Sequence, residues 1–536
     1  MLPSSECYPI DVAPGQSRLF LDYCAADPAV RPFYQSLPRE TGWQQRCPRP
    51  DHWNEIVDLL AQQNASPSAG SSIADLRAGA ATVLTGQQVG LFGGPLYTPL
   101  KASTALARAR QATGAGQPHV AVFWLATEDH DFAEINHVAF PSRKELRKLV
   151  YANTPTAPIP VGKVVIDETI DPLIDQAWEL LGSSEAMDAL VAAYKPGRTF
   201  GQAFADFYSK AFAAQGLLIL DASDDEVHRL GSPVLRSAIE RADEFHTALL
   251  ERNKVLETAG YHAQVAVTPG SSLLFLLDER SGARLSLKRI PPGPAEPQGM
   301  WQAGRDRFTT ADLLDILAAE PHRISPAALL RPIFQDYLLG TSLIIGGPAE
   351  IAYFAQSAVL YERILGRITA AEPRFSATLI EPSIGELLRK HDLGIDRVFH
   401  ESADSLAQLL AARAMPIEGK QKLSSAGKAL DSELQPLIEY MRAMDPGLGR
   451  SADTAASKMR YQMNRLRRLA ANFEMQREGS LRRHADAIER ALNPGGVLQE
   501  RIHGAAYYFA RYGFELAETI TGLATDPCPG HKAIWL

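Results

Sequence analysis

The sequence predicts an α/β protein with a Rossmann-like, doubly wound parallel sheet, two connecting insertions and a C-terminal helical coiled-coil hairpin. Three observations support this fold class. Short apolar runs alternate with amphipathic segments, as in parallel sheets that helices cover on both faces. Two turn-rich extended stretches interrupt that alternation. Near the C-terminus, apolar residues recur at heptad spacing.

Four apolar runs are predicted to be core strands, and a fifth run extends the series. They occupy residues 82–86, 120–126, 216–222 and 342–347, with 377–381 as the fifth. Because sheets of this kind bind ligands at the carboxyl ends of their strands, we expect functional residues directly after these runs.

The same pattern divides the chain into segments. These are core 1–137, first connecting insertion 138–210, core 211–260, second connecting insertion 261–305, core 306–415, antiparallel coiled-coil hairpin 416–494, and a C-terminal segment 495–536 that packs back on the core. In the second insertion, alternating polar and apolar residues around the turn "DERSG" predict a β meander. Residues 291–299, "PPGPAEPQG", are predicted to be a loop.

The hairpin prediction rests on two apolar stripes. The first contains Leu423, Leu430, Leu437 and Met444, and the second contains Met459, Met463, Leu466, Ala470 and Phe473. The break "DPGLG" separates them, which indicates an antiparallel pair. Two ordinary amphipathic helices are the alternative. Residues 450–490 carry ten basic against five acidic side chains. A helix with this charge excess could bind RNA, although a solvated or dimer-facing helix surface is the commoner explanation of such an excess.

Composition excludes several classes of protein. The 536 residues are 46% hydrophobic and 22% charged, with a net charge of −8, which argues against a generally nucleic-acid-binding surface. No signal peptide or membrane-spanning run is expected. The four cysteines form no CxxC pair, so we expect reduced thiols, no structural zinc and a cytoplasmic location.

The first chemical motif is "TVLTGQQVGLFGGPLYT", residues 82–98. It lacks both the phosphate-loop lysine pattern and the dinucleotide fingerprint. Gly93 and Gly94 precede a helix, whose free N–H groups are predicted to face an anion. The side chains expected to add contacts are Thr85, Gln87, Gln88, Tyr97 and Lys101. A tight turn without a ligand is the alternative.

The second motif, "ATEDHDFAEINH" at 126–137, concentrates acids and histidines after a predicted strand. Its candidates are Glu128, Asp129, His130, Asp131, Glu134, Asn136 and His137. Such a cluster can supply a general base, orient an ammonium group or bind a divalent metal. The histidine spacing matches no standard zinc site. Helix-capping acids with a core histidine are the alternative.

Two later motifs complete the set. "LIIGGPAEIAYF" at 343–354 repeats the strand–Gly-Gly-Pro–helix arrangement and offers Gly346, Gly347, Glu350 and Tyr353 as an opposite wall. Glu350 could instead merely complement the helix dipole. "LQERIHGAAYYFARYG" at 498–513 offers three candidates for nucleotide contact, although such residues more often pack a terminal helix. These are Arg501, Tyr508 and Tyr512.

Together these blocks resemble the BshC family, the cysteine-adding enzymes of bacillithiol biosynthesis. The resemblance is carried by "VLTGQQVGLFGGPLYTPLKA", "VFWLATEDHDFAEINHV", "LRPIFQDYLLGTSLIIGGPAEIAYFAQ" and "LQERIHGAAYYFARYG", from residue 82 to 513. It implies a Rossmann-like core with two connecting-peptide insertions and a coiled-coil domain that forms a homodimer. It also implies an activity, the joining of L-cysteine to glucosaminyl malate.

Amide formation from a free carboxylate needs activation, so ATP is the expected cofactor and Mg²⁺ would accompany it. Cysteine would become an acyl adenylate or acyl phosphate. Asp129, His130 or Asp131 would deprotonate the amine or hold the cysteine ammonium, and Lys101 would neutralise developing charge. Zinc that grips the cysteine thiol is a weaker alternative. The rival function is a synthetase-like RNA-binding protein that uses the basic hairpin arm.

Overall fold

The computed structural model describes residues 3–45, 49–290, 299–477, 479–526 and 528–536. The chain forms two compact units. The first, here the sheet unit, comprises Met1–Ser142, Leu146–Thr378 and Glu500–Ile534. The second, here the hairpin unit, comprises Arg143–Glu145, Leu379–Gln499 and Trp535–Leu536.

The strands of the described residues are β1 Ser4–Tyr8, β2 Ala81–Gln87, β3 His119–Leu125, β4 His137–Pro141, β5 Leu146–Val150, β6 Leu218–Asp221, β7 Leu274–Leu277, β8 Arg284–Ile290, β9 Met300–Ala303, β10 Asp306–Thr309, β11 Ile324–Pro326, β12 Thr341–Gly346, β13 Ala370–Pro373, β14 Ser376–Ile380 and β15 His531–Trp535.

The α-helices of the same residues are α1 Arg18–Cys24, α2 Trp53–Gln63, α3 Pro67–Ala78, α4 Tyr97–Gly114, α5 Phe132–Ile135, α6 Asp171–Leu181, α7 Glu185–Ala193, α8 Phe200–Ala211, α9 Asp225–Glu240, α10 Ala242–Thr258, α11 Thr310–Ala319, α12 Arg331–Leu339, α13 Pro348–Leu365, α14 Pro382–His391, α15 Ile395–Phe399, α16 Ala403–Ala414, α17 Ile417–Met444, α18 Pro446–Arg477, α19 Ser480–Leu492, α20 Gln499–Ile502, α21 Ala505–Tyr512 and α22 Glu515–Ala524. None of these helices combines the length and apolarity that a bilayer crossing requires.

A five-stranded parallel sheet in the order β13-β12-β2-β3-β6 confirms the predicted fold class. Every residue of β3 is buried, as expected for a strand covered on both faces. The chain passes from β2 outward through β3 to β6, and later from β12 to β13 on the other side. The crevice beyond β2 and β12 is therefore a topological switch point, where such sheets bind ligands.

The prediction of the fifth core strand was wrong. Residues 377–381 largely form β14, which belongs to a three-stranded sheet with β15 and β1. The place beside β12 is taken by β13, whose sequence "AAEP" is too short and too polar to stand out as a buried strand. Arg374 follows this strand directly.

Both predicted insertions contain the expected extended segments. In 138–210, the antiparallel hairpin β4–β5 precedes helices α6, α7 and α8. In 261–305, strands β7 to β10 form an antiparallel meander, and β11 adds to β7. Residues 261–273, predicted as the start of the meander, form no strand. Residues 291–298 of the predicted loop at 291–299 lie outside the described residues.

In the hairpin unit, α17 and α18 pack through a seam that the heptad prediction misplaced. The buried residues are Leu434, Ile438, Ala452 and Ala456, with Leu430 and Met441 packed against them. Five predicted stripe residues are instead exposed, namely Leu437, Met444, Met459, Leu466 and Phe473. Small alanines let two helices approach closely, so the seam needs no large side chain from α18, and a search for large apolar residues overlooks it.

The prediction of reduced cysteines was wrong for one pair. Cys7 and Cys528 form a disulfide across 521 residues of sequence. No spacing pattern could show this pairing, because the sheet that contains β1 and β15 brings the two ends together. Cys24 is free and buried, and Cys47 lies outside the described residues.

Candidate active site

A cavity of about 250 Å³ opens at the switch point between β2 and β12. Its floor is formed by residues from the ends of these strands, and its walls come from α4, α12, α13 and the chain after β13. The polar lining residues are Thr85, Gln87, Gln88, Tyr97, Lys101, Glu134, Arg331, Gln335, Glu350, Tyr353, Arg374 and Arg501. Eight of the residues predicted from the two Gly-Gly-Pro motifs thus meet at one cavity, namely Thr85, Gln87, Gln88, Tyr97, Lys101, Gly347, Glu350 and Tyr353.

Lys101 and Glu350 connect the two Gly-Gly-Pro motifs. The Lys101 ammonium donates to the Gly86 carbonyl at 2.8 Å, to Gln87 Oε1 at 3.0 Å and to Glu350 Oε2. Glu350 also accepts from the Gly347 N–H at 2.8 Å. All three Lys101 donors are therefore engaged. Burial lowers the pKa of Lys101, whereas Lys101 and Arg331 outweigh burial and hold the pKa of Glu350 below its usual range.

The cavity is predominantly cationic. Arg331 donates to the Tyr353 hydroxyl at 2.7 Å and lies 3.7 Å from Glu350. Arg374 forms an ion pair with Glu500, which is fully buried and does not line the cavity. Arg501 forms no ion pair with any residue of the described chain. Together with Lys101, these arginines place four cations against the carboxylates of Glu134 and Glu350 in the lining.

A second cavity of about 420 Å³ adjoins the first. Gln87, Gln88, Tyr97, Glu134 and Arg501 line both cavities and so form a shared wall. Within that wall, Gln87 donates to the Tyr97 hydroxyl at 3.1 Å and Gln88 donates to Glu134 at 3.1 Å.

The far side of the second cavity carries His137 and Lys148 from the β4–β5 hairpin. Lys148 is exposed and has no ion-pair partner among the described residues. The second cavity thus holds two unpaired cations, Lys148 and Arg501.

Glu134 and His137 of the acid–histidine motif line the cavities, whereas Asp129 and His130 line neither and lie behind the shared wall. Gln88 donates to Asp129 Oδ2 at 2.5 Å, and Asp129 Oδ1 accepts from the His130 N–H at 2.7 Å. Although burial alone would raise it, these hydrogen bonds hold the pKa of Asp129 below its usual value. Burial and the guanidinium of Arg284, 3.4 Å from His130 Nδ1, lower the pKa of His130. The imidazole is therefore neutral at pH 7 and can accept a proton.

Other residues of this motif have structural partners. Asp131 caps α5 by accepting from the Glu134 N–H at 3.3 Å, and Asn136 donates to the Tyr151 carbonyl at 3.2 Å. Glu128 is buried 2.9 Å from His228 Nε2. Burial would lower the pKa of His228, but the Glu128 carboxylate outweighs it and raises that pKa. The structure does not place Glu128, Asp131 or Asn136 in either cavity.

The predicted anion site at Gly93 and Gly94 has its N–H groups already bonded. Gly93 donates to the Tyr194 hydroxyl at 3.0 Å, and Gly94 donates to the Leu91 carbonyl at 3.0 Å. Gly93 has φ +83°, and a Cβ there would lie 2.7 Å from Phe207. Gly93 therefore serves close packing, whereas Gly94 has φ +66°, and neither lines the two cavities. Gly346 accepts from the Arg374 N–H at 2.8 Å.

Of the predicted nucleotide contacts, only Arg501 reaches the cavities. Tyr508 is buried, with its hydroxyl 2.9 Å from His503 Nδ1. Tyr512 is half-buried and lines neither cavity.

Sequence reasoning missed Arg331 and Arg374 as site residues. Arg374 directly follows β13, so recognition of that strand would have identified it. No cluster of three or more metal-binding side chains occurs in the described part of the chain.

Comparisons with known proteins decide the family. Residues 5–374 match the N-terminal Rossmann-like domain of bacillithiol biosynthesis BshC, and residues 377–535 match its C-terminal coiled-coil domain. The chain belongs to the BshC family. The cavity accordingly lies within the part that matches the Rossmann-like domain of this family, as do all of its lining residues except Arg501.

Three BshC relatives share the full-length similarity, each named "Putative cysteine ligase BshC". The protein of Koribacter versatilis is 41% identical over 100% of both chains. The protein of Solibacter usitatus is 34% identical over 97% of this chain and 98% of its own. The protein of Salinibacter ruber is 30% identical over 96% of each.

Proposed function

We propose that this protein joins L-cysteine to glucosaminyl malate by an amide bond between the cysteine carboxyl group and the glucosamine amine, with ATP as the activating cofactor. The observation that carries the proposal is the pair of adjoining cavities at the switch point, cationic and joined by a polar wall. The name of the relatives, cysteine ligase, supports the same reaction class. A cytoplasmic location remains part of this proposal.

The first cavity suits the malate-bearing substrate. Malate carries two carboxylates, and guanidinium groups bind carboxylates through paired, charge-assisted hydrogen bonds. Arg331 and Arg374 use only part of their five donors on Tyr353, Glu500 and a carbonyl, which leaves N–H groups for a ligand. The exposed carboxylate of Glu134 offers the acceptor that a substrate amine needs.

The second cavity suits the activated partner. Its unpaired cations, Lys148 and Arg501, fit a phosphate or carboxylate group, and its volume of about 420 Å³ exceeds that of the first cavity. When bound, ATP would supply the activation of the cysteine carboxyl group, and Mg²⁺ would arrive with its phosphates. Reacting groups from the two cavities would meet at the shared wall of Gln87, Gln88 and Tyr97.

The proton of the substrate amine is assigned to the Glu134 carboxylate, which lies in the wall. Gln88 donates to Glu134 at 3.1 Å and to Asp129 at 2.5 Å, so its amide positions both carboxylates. His130, held neutral beside Asp129, would take the proton from Glu134 through solvent. Lys101 keeps β2 and α13 in place around the malate carboxylates.

The test incubates purified full-length protein with L-cysteine, glucosaminyl malate and ATP-Mg²⁺, and follows the product by mass spectrometry. Folded protein that forms no product from competent substrates would overturn the proposal. Asp129→Asn and His130→Ala should each lower turnover while the melting temperature changes little. Arg236→Ala, on the surface of α9, is the matched control. Full turnover in both site variants would show that the acid–histidine motif is not catalytic.

We also propose that the hairpin unit forms a homodimer. Its exposed apolar residues, Leu437, Met444, Met459, Leu466 and Phe473, are between about half and two-thirds accessible in the single chain. A second copy would bury them, as coiled-coil families do. Leu466→Asp with Phe473→Asp should convert a dimer to a monomer in light scattering. A monomeric parent protein would overturn this proposal. No observation in the candidate active site supports the alternative of RNA binding by the hairpin arm, which stays a prediction.

A further inference from the structure

The Cys7–Cys528 disulfide joins strands that backbone contacts already hold together. Cys7 lies on β1 and is exposed, and Cys528 lies three residues before β15 and is half-buried. β1 and β15 are neighbours in one sheet. Gly530 approaches β1 so closely that a Cβ there would lie 1.8 Å from the Tyr8 carbonyl. The disulfide therefore adds a covalent bond where non-covalent packing is already tight.

One cysteine of the pair lines a cavity that contains an unpaired cation. The cavity has a volume of about 80 Å³, and its charged lining residues are Arg39, Arg108, Arg374, Glu372 and Asp526; the free Cys24 lines it together with Cys528. Arg108 is paired with Glu372 at 2.6 Å. Arg39 is exposed and makes no ion pair with a described residue. Nearby cations stabilise a thiolate, and a stabilised thiolate is the better leaving group in thiol–disulfide exchange.

We propose that the Cys7–Cys528 pair is a thiol-exchange site, at which a low-molecular-weight thiol forms a mixed disulfide with Cys7 and releases Cys528 into the cavity of Arg39. The incoming thiolate attacks the Sγ of Cys7, the more exposed residue of the pair. A new S–S bond forms to Cys7, the Cys7–Cys528 bond breaks, and its electron pair leaves as the Cys528 thiolate. The proton of the incoming thiol goes to solvent, so no external oxidant is needed.

The exchange depends only on a thiol, but the identity of that thiol rests on the proposed function. A protein that handles L-cysteine and releases a thiol product meets this chemical class at its own active site. Arg374 lines both the cavity of Cys528 and the candidate active-site cavity, so the exchange site adjoins the walls that would bind substrate.

The experiment uses the full chain with the substitution Cys47→Ser, which removes a further thiol that could react with the probe. Mildly oxidised protein is incubated with 2-mercaptoethanol, quenched with iodoacetamide and mapped by peptide mass spectrometry. 2-Mercaptoethanol carries no charged group other than its reacting thiolate, and the Arg236→Ala variant controls for the effect of net charge on that anion. Cys24 is an internal control, since burial raises the pKa of its thiol to about 12 and it should take neither label.

We expect the mercaptoethanol adduct on Cys7 and the alkyl group on Cys528. Arg39→Ala should slow the exchange about threefold, an effect that high salt removes. Arg236→Ala, which makes the same charge change on α9, should leave the rate unchanged.

Three results would overturn the inference. They are a pair that fails to form under mild oxidation, a disulfide that exchanges only after denaturation, and an adduct on Cys528 instead of Cys7. Equal rates in the two arginine variants would refute the role of Arg39. None of these measurements involves ligation, so they stand or fall independently of the proposed reaction.

Discussion

Replacement of Lys101 by methionine tests whether the Lys101–Glu350 ion pair, which connects the two Gly-Gly-Pro motifs, stabilises the folded protein. The Lys101 side chain is 4% accessible and that of Glu350 is 22% accessible. Methionine keeps much of the buried length but removes the charge. It leaves the Glu350 carboxylate without its main partner and the Gly86 carbonyl without the donor at 2.8 Å.

The magnitude follows from that geometry. Removal of one partner of a buried ion pair costs about 3–5 kcal/mol, because the other charge is left uncompensated. Arg331 remains 3.7 Å from Glu350, and Glu350 keeps some solvent contact. We therefore expect the lower end, about 3 kcal/mol of unfolding free energy. In Lys101→Met with Glu350→Gln, no unpaired charge remains, and about half of the loss should return.

The assay is equilibrium urea unfolding of the full chain, followed by tryptophan fluorescence, for the parent, both single variants and the double variant. The pKa of Glu350 is depressed in the folded protein. Its stabilising effect is therefore present above the unfolded value near 4.3 and is lost as the pH falls through the folded value. The difference between parent and Lys101→Met should narrow on acidification. A loss below about 1 kcal/mol, typical of a solvated surface pair, or a double variant no more stable than Lys101→Met, would refute the reasoning.

Three further predictions follow from single contacts. Arg331→Lys should raise the KM for the malate-bearing substrate about tenfold with a smaller change in kcat, because a lysine cannot bind a carboxylate and Tyr353 through a planar fork; steady-state kinetics that show only a kcat loss would contradict this. In the monomeric Leu466→Asp, Phe473→Asp background, Ile438→Ala should cost the hairpin unit about 2–4 kcal/mol of unfolding free energy, whereas Leu437→Ala, at a residue 52% exposed in the single chain, should cost less than about 0.5 kcal/mol. Urea unfolding monitored by circular dichroism measures both free energies. Equal losses in the two variants would show that α17 does not pack through the face that carries Ile438. Stability should also fall as the pH rises through the folded-state pKa of His228, because its carboxylate partner raises that pKa above the unfolded value near 6.5 and the benefit exists only while the imidazole is charged. His228→Gln should remove this part of the pH dependence in urea unfolding, and a parent protein that gains stability over that range would show the sign to be wrong.

The sheet could be predicted because local sequence patterns identify most of its strands. The runs at 82–86 and 120–126 are short, apolar and followed by helical segments, and that pattern requires burial between two helical layers. The rule that ligands bind beyond such strands then located Gln87, Lys101 and Glu350, which do line one cavity.

Two of the predictions that failed depended on packing partners in another element. Gly93 and Gly94 looked like an anion site, but the hydroxyl of Tyr194 takes the Gly93 N–H. The stripe through Leu437 looked like a seam, but Ala452 and Ala456 on the second helix pack against Leu434 and Ile438 instead. In both cases the residue type was right for two environments, and the packing of another element selected one.

The sequence alone determined that this chain folds as a Rossmann-like core with a helical hairpin, and that its polar motifs stand at strand ends. Hydrophobic periodicity and glycine placement are local properties, so they can be read directly from the chain. Only the tertiary structure decided which polar groups meet. It brought Arg331 and Arg374 to the cavity and joined Cys7 to Cys528 across 521 residues. Burial, hydrogen-bond saturation and charge pairing arise between segments, and no single segment encodes them.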